Sequence, residues 1–434
     1  MWRTVKMGGS TTKFGFFTLV GYTALLLSLG AIVARLSEDR GLPDIPFLLL
    51  LGFLLGPIAG IVRPEYAQKA FPFVGTLGLI IILLDGGFEI GIDVLRRVAS
   101  LVAKLDSITL LITAGISSLI FNLVFGLKPF SPIGFLYGSI TCATDPATLI
   151  PVFSKVELPI NISTALIAES VFNDPLGVVL TKMSLSVMGL SSHQNPILLF
   201  ISLAAGGAAL GLATGVVLER LLAREPFGEY VVPITLGAAL ALWYICEELL
   251  PGLLGYELSG FMAVAVLGMY LGNNLIKHDY LKDDRTFLKD FFEELSTVVR
   301  IMVFTLLGAC VSISLLKTFW LKGLVCALSN VFIARPAGVI IGTYIPPKED
   351  LNLKERIYLA LEGPRGVVPA ALVGTIYSKI VSNPHAVPVA IASEMPPKTL
   401  ASAILVTTFL TIFISVVLEA TWAQPLAKRL LKEE

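Results

Sequence analysis

Apolar stretches of about 20 residues recur along the whole chain, separated by short polar turns. A helix of about 20 apolar residues crosses the hydrocarbon core of a bilayer, and within lipid only helices or closed barrels satisfy their own backbone. The pattern predicts thirteen spanning helices, near 14–36, 43–62, 71–92, 105–127, 132–153, 159–187, 196–218, 230–249, 256–274, 293–315, 319–342, 355–378 and 398–424. Turn formers connect them, as in Arg40-Gly41-Leu42-Pro43 and Ser192-His193-Gln194-Asn195-Pro196. The longest polar link, about 275–292, is too short for a domain. The run from Phe14 lacks a small-residue cleavage site and reads as a first span rather than a removed leader.

Composition agrees with one polytopic membrane domain. Of 434 residues, 55% are hydrophobic and only 15% charged, with mean hydropathy +0.83. Soluble domains carry about 25% charge, so a soluble enzyme is excluded. The 32 basic and 32 acidic residues cancel, leaving no basic face for nucleic acid. Cys142, Cys246, Cys310 and Cys326 lie in apolar stretches without a Cys-x-x-Cys pair, which excludes a disulfide framework and a zinc site. Ten Lys and Arg fall on the side of the N-terminus and even-numbered loops, eighteen on the other, and Lys182, Arg300, Arg335 and Arg365 within spans. The richer side is expected to be cytoplasmic, placing the N-terminus outside and the C-terminus inside. Lys182 and Arg300, near span ends, are expected to snorkel, and Glu247 and Glu248 to form a solvated rim.

Charges inside spans carry the chemistry. An ionisable residue at mid-helix costs about 2.5–3.5 kcal/mol on insertion scales and marks a functional candidate. Glu89 lies near the end of the third span, Asp145 in the fifth, Glu169 and Asp174 in the sixth, Arg335 in the eleventh and Arg365 in the twelfth. Unpaired, they cost on the order of 15 kcal/mol together, so they are expected to meet at one polar site. In Glu169-Ser170-Val171-Phe172-Asn173-Asp174, Glu169 and Asn173 are four apart, as are Ser170 and Asp174, which gathers hard oxygen ligands on one face. Such ligands suit an alkali or alkaline-earth cation. His193, His278 and His385 fall in loops, leaving a catalytic metal little to bind.

Two spans look broken. Thr144-Asp145-Pro146 interrupts the fifth and Glu362-Gly363-Pro364-Arg365-Gly366 the twelfth. Paired breaks at membrane depth point to a transport site between inverted repeats. Helices 1–6 and 8–13 form the expected repeats, joined by helix 7.

At Thr144-Asp145-Pro146, Glu169-Ser170-Val171-Phe172-Asn173-Asp174, Ala334-Arg335-Pro336 and Gly363-Pro364-Arg365-Gly366 the chain resembles the cation:proton antiporter superfamily. It is most similar to the electroneutral, NhaP-type sodium/proton antiporters related to animal sodium/hydrogen exchangers. That resemblance implies a homodimer in the cell membrane, exchanging sodium (and lithium) for protons without a cofactor. It implies a dimerisation part of helices 1–3 and 8–10 (about 14–92 and 230–315), a core of helices 4–6 and 11–13 (about 105–187 and 319–424), and a linker helix near 196–218. Asp174 would bind sodium or a proton in competition, with Ser170, Thr144 and Glu89 completing the shell; Asp85 and Asp93 are alternatives to Glu89. Asp145 would balance dipoles at the crossing, Asn173 would tie it to the sixth helix, and Glu169 would pair with Arg335. Glu362 and Pro364 depart from the animal pattern, leaving the role of Arg365 open.

One titrating carboxylate suffices for exchange. Asn173 beside Asp174 removes a second titrating group, making one sodium for one proton the expected stoichiometry. A potassium/proton antiporter of the same fold is the alternative, since oxygen ligands do not separate ions that differ in cavity size. An intramembrane aspartyl protease lacks its Gly-x-Gly-Asp element here, and a channel does not require paired breaks.

Overall fold

The computed structural model describes residues 16–149, 158–190, 195–224, 227–278, 281–347 and 349–431. His193 and the last part of the fifth predicted span lie outside them. Among the described residues the fold is all helix, without a strand. The helices are α1 (Phe16–Glu38), α2 (Ile45–Ile58), α3 (Pro64–Glu89), α4 (Leu95–Phe125, entered by one turn from Ile92), α5 (Pro132–Thr141) and α6 (Ile160–Val187). They continue as α7 (Pro196–Leu222), α8 (Gly228–Leu253), α9 (Gly260–Asn274), α10 (Lys282–Cys310) and α11 (Ile313–Tyr344). Last come α12 (Leu353–Leu361), α13 (Val367–Ser382), α14 (Val389–Glu394) and α15 (Pro397–Leu430).

Seven of the described helices are long and apolar enough to cross a membrane: α1, α3, α4, α7, α8, α11 and α15. The chain is therefore a multi-pass membrane protein. Starts are set by caps: Ser131, Ser259 and Ser312 accept backbone N–H groups, and Asn352 with Glu355 forms a capping box.

The structure moves several predicted boundaries. The polar link expected at 275–292 is largely helix, because α10 begins at Lys282 and its charged first turns belong to the same helix as the apolar run behind them. The predicted third span starts earlier, at Pro64, with Pro72 accommodated inside it. The fifth stops as helix at Thr141 and the twelfth divides into α12 and α13. π-helical turns widen α2 at Leu54–Ile58, where Pro57 sits, and α11 at Asn330–Ala334, just before Arg335-Pro336. Proline withdraws one backbone donor and crowds the turn before it; the wider turn absorbs that crowding.

α3 packs against α9, α10 and α13, and α11 runs along α15. The α3–α9 contact depends on missing side chains. A Cβ at Gly87 would lie 2.3 Å from the Ala265 carbonyl oxygen, and one at Gly268 would lie 2.2 Å from that of Leu84. Small residues let membrane helices approach this closely.

Candidate functional site

The two breaks meet. Residues 143–145 run without helix between α5, capped by Cys142, and a single 3-10 turn, Pro146–Leu149, and residues 362–366 run without helix between α12 and α13. At their crossing the Asp145 N–H donates to the Pro364 carbonyl at 2.7 Å. Proline at 146 and 364 prevents either segment from closing into helix, which frees backbone groups for this contact. Gly366 permits it: a Cβ there would lie 2.2 Å from Asp145 Oδ2.

α6 lies along the first break. Asn173 Nδ2 donates to Thr144 Oγ1 at 2.6 Å, and Thr144 Oγ1 donates to Glu169 Oε1 at 3.1 Å. Ser170 Oγ donates to Asp145 Oδ1 at 3.3 Å, and Thr148 Oγ1 to Asp145 Oδ2 at 3.0 Å. A Cβ at Gly177 would meet that of Ala143 at 2.9 Å, so the helix is pressed against the break. Asp174 sits within this contact, 7% exposed, and no hydrogen bond reaches its carboxyl among the described residues. Its neighbour Asp145 is already held by two hydroxyls. The arrangement leaves the Asp174 carboxyl beside the break, nearly buried, with no described residue hydrogen-bonded to it.

Arg335 forks onto both oxygens of Glu169, with Nη2 to Oε2 at 2.9 Å, and also donates to the carbonyls of Leu359 and Glu362. Arg365 reaches neutral acceptors instead, Asn330 Oδ1 and the Gly363 carbonyl. Glu169 is fully buried, and Arg335 and Arg365 nearly so.

Glu89 stands apart from this group. It is exposed at the C-terminal end of α3 and lies 3.9 Å from Lys289 of α10. Asp85, one turn earlier, is half-buried with Oδ1 sealed and unpartnered, and lies near Ser296, Lys289 and Glu293 of α10. Asp93 is 93% exposed beside Arg96. Lys182 and Glu247, expected to snorkel and to form a solvated rim, pair with each other, and Glu247 also accepts the Gly260 N–H at 2.9 Å. Arg300 likewise meets Asp44 at 3.3 Å.

Asp106 and Glu419 escaped the sequence reading of the site, and Glu362 entered it only as part of the second break. Asp106, in the π turn Leu105–Thr109 of α4, is 5% exposed with both oxygens unpartnered, and Glu169, Arg335 and Asp174 are its charged neighbours. Glu362 is fully buried and also without partners, and Glu419 of α15 is 2% exposed. Asp106 and Glu419 lie near the ends of predicted spans, where an acid ordinarily reaches water. For Glu419 the usable signal was its helical spacing from Ser415 and Trp422.

Comparison with known proteins identifies the family. The sodium/hydrogen exchanger, transmembrane family matches residues 23–429. The chain belongs to that family. It is 48% identical over 96% of its length to the probable Na(+)/H(+) antiporter 2 of Methanocaldococcus jannaschii, covering 98% of that protein. It is 45% identical over 95% of its length to Na(+)/H(+) antiporter 1 of the same organism, covering 96% of it. The solved structure of the sodium proton antiporter MjNhaP1 from M. jannaschii at pH 8 superimposes with a TM-score of 0.92 at 45% identity, over 96% of this chain and 99% of that one.

Proposed function

We propose that the protein exchanges sodium for protons across the cell membrane, one for one, through alternating occupancy of Asp174. The observation that carries the reading is the nearly buried Asp174 carboxyl, free of hydrogen bonds among the described residues, beside two crossing chain breaks. Sodium and a proton need the same oxygens, so each displaces the other. A bare carboxylate keeps its full desolvation cost in the membrane, whereas the protonated or sodium-bound form cancels it. Only loaded states move, and that rule alone enforces exchange. Asn173 supplies no second charge, which supports electroneutral turnover.

Ser170 and Thr144 complete the cation shell, each already within one hydrogen bond of the break or its lining. The third-span ligand is Asp85 in preference to Glu89, since Asp85 has a sealed free oxygen and Glu89 faces Lys289. Asp145 and Asn173 hold the first break, Glu169 and Arg335 brace α6 against α11, and Arg365 braces the second break. The wider frame is thirteen spans in two inverted repeats, a core of helices 4–6 and 11–13, and a homodimer with its N-terminus outside.

Everted vesicles carrying a pH-sensitive dye test the substrate. Sodium and lithium are expected to dequench the dye; potassium and calcium are not. No response to any cation overturns antiport, and a response to potassium alone replaces sodium by potassium.

A further inference from the structure

An extended segment at membrane depth must have its peptide groups answered by protein. In the second break one face of α15 answers several of these groups. Ser415 Oγ accepts the Arg365 N–H at 3.1 Å, Glu419 Oε2 accepts the Gly363 N–H at 2.6 Å, and Trp422 Nε1 donates to the Leu361 carbonyl at 3.2 Å. These three side chains follow at four- and three-residue intervals, the repeat of a single helical face. They meet alternate residues of the segment, 365, 363 and 361, in reverse order, so α15 and the break run antiparallel. Arg335 and Arg365 take the Glu362 and Gly363 carbonyls from other sides. The Pro364 carbonyl turns to the first break, where it receives the Asp145 N–H.

We infer that the Ser415–Glu419–Trp422 face of α15 is a template that sets the path of the second break, with Glu419 its principal positioning residue. The inference rests on the exchange reading above, because the path of the break sets Pro364 against Asp145 and so the first break against Asp174. Glu419 acts as an acceptor rather than as a charge. Its hydrogen-bond partner is a neutral peptide N–H, and Gln offers the same acceptor; the cations near it, Arg335 and Arg365, bond to Glu169, Asn330 and backbone carbonyls instead. The amide hydrogens that Gln adds face Glu362, an electrostatic neighbour whose oxygens have no partner.

The test measures sodium KM and maximal rate in proteoliposomes for E419L, E419Q and S415A, with amide hydrogen exchange at Gly363 and Arg365. Losing a buried acceptor costs about tenfold in equilibrium terms. E419L is therefore expected to raise sodium KM about tenfold and to expose the Gly363 amide. S415A should do so about threefold and expose the Arg365 amide, and E419Q should recover most of the affinity without moving the pH profile. Wild-type KM in E419L overturns the template. E419Q as impaired as E419L, or a displaced pH profile, shows that the carboxyl itself is required and overturns the acceptor role. If E419L does not fold, an unchanged KM in S415A overturns the proposal. Should the wild type show no sodium-coupled exchange, the functional reading falls while amide exchange at the two positions still decides this one.

Discussion

Glu169 and Arg335 close a buried pair with two parallel bonds, and Thr144 adds a hydroxyl to the same carboxylate. Removing one partner of such a pair strands the other charge in low dielectric and costs about 3–5 kcal/mol. Glu169→Leu is accordingly expected to lower Tm in detergent by several degrees, and Glu169→Leu with Arg335→Met to restore part of it. A double variant no more stable than the single one contradicts the pairing as the source of the loss. Gly366 makes a sharper test, because its lack of a side chain is what admits the Asp145 carboxyl. Gly366→Ala forces that carboxyl to shift by an ångström or so. Displacements of that size cost up to about 100-fold in positioned sites, so sodium KM is expected to rise at least tenfold with the fold intact. Asp174, Asp145 and Glu169 were legible as a cluster because a charge inside an apolar run is conspicuous. Asp106 was not, since one residue inside a predicted span boundary an acid looks like part of the rim.

At the scale of elements, the breaks could be read from Thr144-Asp145-Pro146 and Gly363-Pro364-Arg365-Gly366, as both place proline within apolar runs. That they cross was implied by the family resemblance, but the bond that joins them was not legible, because Asp145 and Pro364 meet through the backbone and no side-chain pattern announces it. The start of α10 was misread for a related reason. The charges of residues 282–294 lower local hydropathy, yet Lys, Arg and Glu are good helix formers, and Asp283 and Asp284 suit the first turn of the same helix. Outside the spans, the loop before α12 is fastened to α4 at Glu349, which meets Lys104 and accepts a 2.6 Å bond from Ser100. Burial pushes the Glu349 carboxyl up, but the Lys104 and Ser100 hydrogen bonds and the lysine charge outweigh it and hold it below its ordinary value. A depressed carboxyl contributes stability above its unfolded value and loses it as pH falls through the folded one. Glu349→Gln is thus expected to lower Tm at pH 7, and the gap from wild type to close below about pH 4. A gap that persists in acid rules out this ion pair as its source.

Across the whole molecule, burial grades from the lipid boundary to the centre. In their most apolar windows 78% of α15 is buried, against 17% of α1 and 22% of α7. The central helix is the one whose polar side chains answer the second break, whereas the peripheral helices present apolar side chains such as Val217 to lipid. Hydropathy alone does not separate these roles, since both kinds of helix are uniformly apolar; α15 differs by carrying Ser415 and Glu419 on one face. One carboxylate exchanging one sodium for one proton moves no net charge. Exchange rates in potassium-clamped proteoliposomes are therefore expected to be the same at either sign of imposed voltage. A voltage-dependent rate indicates a second titrating group, with the unpartnered Asp106 the first to examine.

The central claim, that one carboxyl carries both ions, is met most directly by uptake of labelled sodium into proton-loaded proteoliposomes containing Asp174→Asn. The amide keeps the size of the side chain and removes its charge and its exchangeable carboxyl proton. The account predicts no sodium uptake above protein-free vesicles from a variant that elutes and melts like the wild type. Proton-driven uptake that survives the substitution contradicts it.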